Sequence, residues 1–133
     1  MSVQNVNIVQ SMYEAFGKGN VGAVIAALDA NVEWLEAENF IYDDGNPYIG
    51  PNAVLEGVFM RIVAEWDDFT VSPKEILDAG ETVISHGHYT GAYKKNGKQV
   101  RAQFAHLFTV RDGKVVKFQQ YTDTGQFLRV VSS

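Results

Sequence analysis

Residues 104–124, FAHLFTVRDGKVVKFQQYTDT, contain a β-hairpin whose turn can be placed from the sequence. Apolar and polar residues alternate on both sides of Asp112-Gly113, a pair typical of two-residue turns in which both positions adopt positive φ. Such a turn sets the pairing of the strands, and the pairing decides which side chains share a face. The hairpin also carries a histidine, two glutamines, a tyrosine and an aspartate where a small domain normally places aliphatic residues.

The chain on either side of this hairpin shows the same alternation from residue 69 onward. Strand-like segments at 69–80, 81–93 and 99–110 precede the turn at 111–114. Asn96-Gly97 predicts a second two-residue turn. These segments together predict an antiparallel meander.

The first half of the chain is helical in pattern. Apolar residues at intervals of three and four predict a helix over 3–17, and Asn20 is a suitable N-cap for a second helix that includes Leu28. Residues 32–36, VEWLE, alternate like a strand. After an irregular loop at 37–50, Pro51 opens a third helix that is expected to reach Trp66. Helices followed by a meander predict an α+β fold, with three N-terminal helices packed on one face of a curved sheet.

Composition and charge exclude several classes of protein. The chain has 133 residues, a net charge of −5 and no cysteine, which favours a single domain without disulfides or thiolate metal sites. The basic residues are scattered, so nucleic-acid binding is not expected. No stretch approaches the roughly 20 apolar residues that span a bilayer, and the start resembles no signal peptide, so a cytoplasmic protein without membrane association is expected.

The two turns predict which residues share a face of the sheet. If Arg111 pairs with Lys114 and Lys95 with Lys98, one face carries small, aromatic and polar residues together, and the other carries Leu107, Val116 and Phe118. The first face would hold Gly87, Tyr89, Gly91, Ala102, Phe104, His106, Phe108, Gln119, Tyr121 and Asp123. Glycines beside polar groups suggest close approach by a ligand, and the mixture is typical of a small-molecule pocket.

Simpler interpretations fit the same residues. A β-bulge in either hairpin would exchange the faces. An inward histidine with aromatic neighbours can be plain core, and an aspartate at a strand end can cap a loop. His86 and His88 are predicted on the face opposite Asp123, so no metal site is expected.

Three segments resemble a known family. YEAFGKGNVGAVIAALDANVEW, PYIGPNAV and FAHLFTVRDGKVVKFQQYTDT are similar to SnoaL-like proteins of the nuclear transport factor 2-like superfamily, which also contains ketosteroid isomerases. The resemblance covers nearly the whole chain as a single domain. It implies a cone-shaped α+β roll, in which three helices close over a strongly curved sheet with a pocket inside.

The resemblance also implies site residues. In SnoaL-like polyketide cyclases an aspartate and a histidine of the sheet face the pocket, and Asp123 and His106 match them. Tyr13 matches the oxyanion tyrosine of ketosteroid isomerases. The early base of those isomerases falls at Trp34, with Glu33 and Glu36 beside it, and this departure argues against authentic ketosteroid isomerase chemistry.

The resemblance implies cofactor-independent proton transfer next to a carbonyl of an apolar, polyketide- or steroid-like substrate. Asp123 would be the base and His106 the hydrogen-bond donor to the enolate oxygen. The expected substrate-binding residues are Tyr13, Trp34, Phe59, Tyr89, Phe104, Gln119 and Tyr121. A non-catalytic binding protein for a hydrophobic metabolite and a structural dimerisation module remain alternatives. A homodimer is expected through the sheet face that carries Leu107, Val116 and Phe118.

Overall fold

The computed structural model describes residues 2–133, with Ser2 described by its backbone alone. The helices are α1 (Ser2–Gly17), α2 (Val21–Ala26), α3 (Pro51–Val54), α4 (Met60–Glu65) and α5 (Thr124–Val131). The strands are β1 (Leu28–Leu35), β2 (Tyr48–Ile49), β3 (Trp66–Ala79), β4 (Thr82–Tyr93), β5 (Gln99–Arg111) and β6 (Lys114–Thr122). This mixed α+β arrangement confirms the predicted fold class.

The first two helices follow their sequence signals. The Asn20 side chain accepts a hydrogen bond from the Ala23 backbone N–H at 3.1 Å, as an N-cap should. Leu28 was expected in α2 but begins β1 instead. The predicted third helix forms α3 and α4 with a π-helical turn, Leu55–Phe59, between them. It ends one residue earlier than expected, because Trp66 already has extended backbone.

The six strands form one sheet in the order β2-β1-β6-β5-β4-β3. β1 runs parallel to β6, and the other neighbours are antiparallel. This pairing sets Trp34 of β1 opposite Phe118 of β6, and their rings stack with centroids 3.8 Å apart. One buried apolar cluster joins the helices to the sheet.

The predicted register of β6 is wrong. Arg111 pairs with Lys114 across a turn in which Asp112 and Gly113 both have positive φ, but the register slips by one residue after Val110. The extra residue is a β-bulge, which reverses the faces of everything that follows it in the strand.

The bulge exchanges two sets of side chains in β6. Phe118 and Gln120 are buried beneath the helices, while 55% of Tyr121 is exposed and Gln119 also lies on the outer face. His106 therefore pairs with Gln120 and not with Gln119. The outer face loses Phe118, so it is less apolar than the dimer prediction assumed.

The β4–β5 connection also differs from the prediction. Only Gly97 of the Asn96-Gly97 pair has positive φ, and the loop is longer than two residues. Tyr89 pairs with Ala102 where Phe104 was expected. This slip of two residues preserves the faces, because side chains alternate with period two. Gly87 lies on the predicted face, but the backbone of β3 occupies the space in front of it.

No helix among residues 2–133 is both long enough and apolar enough to cross a bilayer.

Candidate functional site

A cavity of about 70 Å³ lies between the helices and the inner face of the sheet; this is the space that centres of water-sized molecules can reach. The cavity therefore exceeds the site of a single water and can admit a small ligand. Aromatic residues form most of the wall: Tyr13, Phe16, Trp34, Phe40, Phe59, Phe69, Tyr89, Phe108 and Phe118. Glu36, His106 and Gln120 supply the remaining polar side chains that face the cavity.

His106 lies at the centre of a chain of hydrogen bonds along this wall. Its Nδ1 is 2.7 Å from the Tyr13 hydroxyl, and its Nε2 is 2.5 Å from the Tyr89 hydroxyl. Only 4% of the residue is exposed, and burial lowers the pKa of His106 to about 3. The imidazole is therefore neutral at physiological pH, with one ring nitrogen donating and the other accepting.

The two tyrosines extend the chain in opposite directions. Tyr13 also bonds to the hydroxyl of Ser85, and Tyr89 accepts a bond from Gln120 Nε2 at 2.9 Å. If His106 donates from Nε2, Tyr89 accepts two hydrogen bonds and its own proton is free to point into the cavity. Burial raises the pKa of Tyr89 well above its usual value, and the charge of Glu36 adds to this shift. Tyr89 is thus a protonated donor close to Glu36.

Glu36 is the acid of the cavity. Only 3% of it is exposed, and its Oε2 accepts a hydrogen bond from Trp34 Nε1 at 3.1 Å. Burial raises the pKa of Glu36 to about 8, although the Trp34 bond and the positive charge of Arg61 both act in the other direction. A carboxyl with such a pKa can hold a proton or release it close to neutral pH.

Asn46 fixes the backbone of Glu36 from the neighbouring loop. Its Oδ1 accepts from the Glu36 backbone N–H at 2.9 Å, and its Nδ2 donates to the Glu36 carbonyl at 2.8 Å. This paired contact holds the residue just beyond the end of β1 and orients its side chain. Glu36 also borders a second, outer cleft, which Gln119 and Tyr121 line from β6.

The structure brings most of the predicted site residues together. Tyr13, Trp34, Phe59, Tyr89 and His106 line the cavity, and Phe104 is buried beside it with its ring centroid 4.1 Å from that of His106. Gln119 and Tyr121 lie in the outer cleft. Asp123 is exposed and precedes α5, so it does not share a face with His106, although the sequence predicted both on one face.

The sequence prediction missed Glu36, Gln120 and Ser85. A signal for Glu36 was present, since the alternation of VEWLE puts it on the same face as Val32 and Trp34, both of which are buried. Gln120 was assigned to the outer face because the predicted register did not contain the bulge. Within residues 2–133, no group of three or more metal-ligating side chains is close enough to hold an ion.

Comparison with known proteins agrees with this architecture. The model of the SnoaL-like domain matches residues 9–118. An NTF2-like protein from Burkholderia thailandensis is 32% identical, with a TM-score of 0.90 and 95% of each chain covered. No curated protein sequence matches this chain.

Two further solved structures share the fold at lower identity. An NTF2-like protein of Burkholderia pseudomallei is 24% identical, with a TM-score of 0.88 and 98% of each chain covered. A protein of Jannaschia sp., provisionally described as a SnoaL-like polyketide cyclase, is 19% identical, with a TM-score of 0.83 over 99% of this chain and 94% of that one. The match of the SnoaL-like domain model over residues 9–118 shows that the chain belongs to the SnoaL-like family.

Proposed function

We propose that the cavity catalyses proton transfer at a carbon next to a carbonyl, in a small apolar ketone or in the ketone ring of a larger substrate. The observation that carries this proposal is the pairing of a buried carboxyl near its point of ionisation with a neutral Tyr–His–Tyr chain on the same apolar wall. Groups whose environments drive their pKa values apart are the usual arrangement for acid and base roles.

Glu36 takes the role of base in this proposal. Its carboxylate removes the proton from the α-carbon and becomes neutral, and the carbonyl carries the electron pair as an enolate. The Tyr89 hydroxyl, with its proton directed into the cavity, donates a hydrogen bond to the enolate oxygen. Return of the proton from Glu36 to a different carbon of the same enolate completes an isomerisation, without any other reactant.

Asp123 was the base expected from the sequence. Its position outside the cavity supports Glu36 in that role instead, because a general base must come within about 3 Å of the proton it removes. His106 keeps a part in the proposal, since it sets the direction of the hydrogen bond at Tyr89.

The size of the cavity guides the choice of a test substrate. A cavity of about 70 Å³ is small for a ligand pocket, which favours a single ring over a polycycle. A polyketide- or steroid-like substrate would have to extend toward the outer cleft that Glu36 borders. Cyclohex-3-en-1-one is a suitable probe, because removal of its α-proton and return of the proton at the far carbon give the conjugated enone.

The test measures formation of the conjugated enone by absorbance. The native protein is expected to accelerate the reaction, and Glu36→Gln is expected to lower kcat by at least about 100-fold, an effect in the range of a lost general base. Asp123→Asn serves as the matched carboxyl-to-amide change outside the cavity and is expected to retain the native rate. Loss of the rate in Asp123→Asn, with retention in Glu36→Gln, would contradict the proposal.

A non-catalytic binding protein is the second candidate, because the apolar cavity can hold a ligand without any reaction. Phenol has the size and shape of the dienol formed from the probe, so its binding measures the pocket without any reaction. A protein that binds phenol but leaves the enone reaction at its uncatalysed rate would be a binder.

A further inference from the structure

The cavity wall can carry a negative charge but no positive one. Among its residues, Glu36 is the only one with a carboxyl group, and no lysine or arginine belongs to the wall. His106 is neutral because burial lowers its pKa. Any full charge on the wall of this cavity is therefore negative, and an anionic ligand would be repelled.

The carboxyl of Glu36 keeps one oxygen available. Within the described part of the chain, Trp34 Nε1 is the hydrogen-bond donor to this group, and it occupies Oε2. Arg61 lowers the pKa of Glu36 through its charge, but its guanidinium bonds to Asp44 at 2.7 Å and lies 4.4 Å from the ring centre of Tyr42. Arg61 is thus engaged outside the wall, and Oε1 has no cationic partner.

Aromatic rings line the same cavity as this carboxyl, and Trp34 is hydrogen-bonded to it. The rings of Trp34 and Phe59 meet edge to face with centroids 5.7 Å apart, and Phe16 follows at 5.8 Å from Phe59. The face of an aromatic ring attracts a cation that comes within about 6 Å of its centre. A cavity wall with aromatic rings and a single carboxylate is a favourable environment for a weakly hydrated cation.

We propose that the cavity binds a methylated ammonium group, with its charge beside Glu36 and its methyl groups against the rings of Trp34, Phe59 and Phe16. A quaternary ammonium has no N–H to leave unsatisfied, so it suits a wall that offers few acceptors. Tetramethylammonium is compact, with five non-hydrogen atoms, and suits a small cavity of about 70 Å³. This binding does not depend on the proposed catalysis, and it would displace a ketone from the same space.

Occupation by a cation favours the ionised form of Glu36. Near pH 7 the empty protein holds a proton on this carboxyl, so binding is expected to release a proton to solvent. The other titratable groups around Glu36 are Tyr89, which stays protonated because its pKa is raised, and Arg61, which stays charged. Affinity should therefore increase as the pH rises toward 8.

The test is calorimetric titration with tetramethylammonium chloride, compared with tert-butanol, a neutral molecule that also has five non-hydrogen atoms. Ionic strength is held constant with sodium chloride. Tetramethylammonium is expected to bind at least about tenfold more tightly than tert-butanol, and the heat should vary with the ionisation enthalpy of the buffer because a proton is released.

Single variants test whether tetramethylammonium binds beside Glu36 and the aromatic rings. Glu36→Gln keeps the shape and the acceptor for Trp34, and it should weaken tetramethylammonium binding at least about tenfold while leaving tert-butanol unchanged. Phe59→Leu removes a ring but keeps an apolar side chain, and it should weaken the cation alone by a few fold. Glu33→Gln is the matched control, because Glu33 is half-exposed and pairs with Lys117 on the outside of β1.

Three results would overturn the proposal: no detectable heat with tetramethylammonium, equal affinity for tert-butanol, or equal weakening by Glu33→Gln and Glu36→Gln. If Glu36→Gln does not fold, the proposal is tested by comparing the two ligands on the native protein and on the Phe59→Leu variant. A protein that isomerises the ketone but binds no ammonium would retain the proposed function and lose this inference alone.

Discussion

The free energy of unfolding is expected to be highest between about pH 4.5 and 6.5 and to fall on both sides, because two buried groups oppose each other. Folding raises the pKa of Glu36 from 4.5 to about 8, so the folded state holds a proton that the unfolded chain releases, and stability decreases as pH rises through this interval. Folding lowers the pKa of His106 from 6.5 to about 3, so stability increases with pH from about 3 to 6.5.

The two effects cancel where the intervals overlap. Outside the overlap each group acts alone with a slope of about 1.4 kcal/mol per pH unit, so each side of the profile falls by about 2 kcal/mol. Chemical denaturation at a series of pH values measures this profile. The profile depends on these two groups because both are almost completely buried.

Single variants separate the two contributions. Glu36→Gln should remove the decline above pH 6.5 and make the protein more stable than the native form at pH 8.5. His106→Gln should weaken the decline below pH 4.5, whereas His88→Gln, on the outer face of the sheet, should leave the profile unchanged. A native profile that stays level from pH 6.5 to 8.5 would show that Glu36 is not a buried acid with a raised pKa.

Gly87→Ala is expected to cost more than about 4 kcal/mol or to prevent folding. A Cβ at this position would lie 2.0 Å from the Ser72 carbonyl oxygen and 2.8 Å from Pro73 Cα, both of them backbone atoms of β3. Neither atom can move without breaking the pairing of β3 with β4, and effects of this size arise from such backbone clashes. The β3 backbone approaches here because its register shifts between Pro73 and Glu75.

Urea denaturation of the variant measures this cost. Gly17→Ala is the matched control, because nothing lies within 4 Å of its added Cβ at the end of α1, and its stability should remain within about 0.5 kcal/mol of the native value. A Gly87→Ala protein with native stability would mean that β3 does not approach β4 as described. Gly87 could then leave room for a ligand, as its place beside polar residues in the sequence suggested.

Helix positions and one turn were predictable because their signals are local. Asn20 caps α2 and Asp112-Gly113 forms its turn through contacts with residues a few positions away. The apolar interval of three and four residues likewise marked α1. The resemblance to SnoaL-like proteins supplied the pocket, and the structure confirms the fold that it implied.

The inner face of β6 was not predictable for a physical reason. Val115 and Val116 are both compatible with either face, so the sequence does not show which of them the bulge leaves unpaired. The following Gln119, Gln120 and Tyr121 are polar or amphipathic, and they fit both registers equally well. Pairing with β1, far away along the chain, brings Phe118 beside Trp34 and is consistent with the inward register.

The most direct measurement is the pH dependence of kcat/KM for isomerisation of cyclohex-3-en-1-one between pH 5.5 and 9.5. Glu36 acts as a base only when ionised, so the rate should rise with pH and level off above about 8, the pKa to which burial raises this carboxyl. Tyr89 remains protonated across this range because its pKa is raised well above 10. Glu36→Gln should remove both the rate and its rise. A rate that is independent of pH over this range, or the same profile in Glu36→Gln, would contradict the assignment of Glu36 as the base.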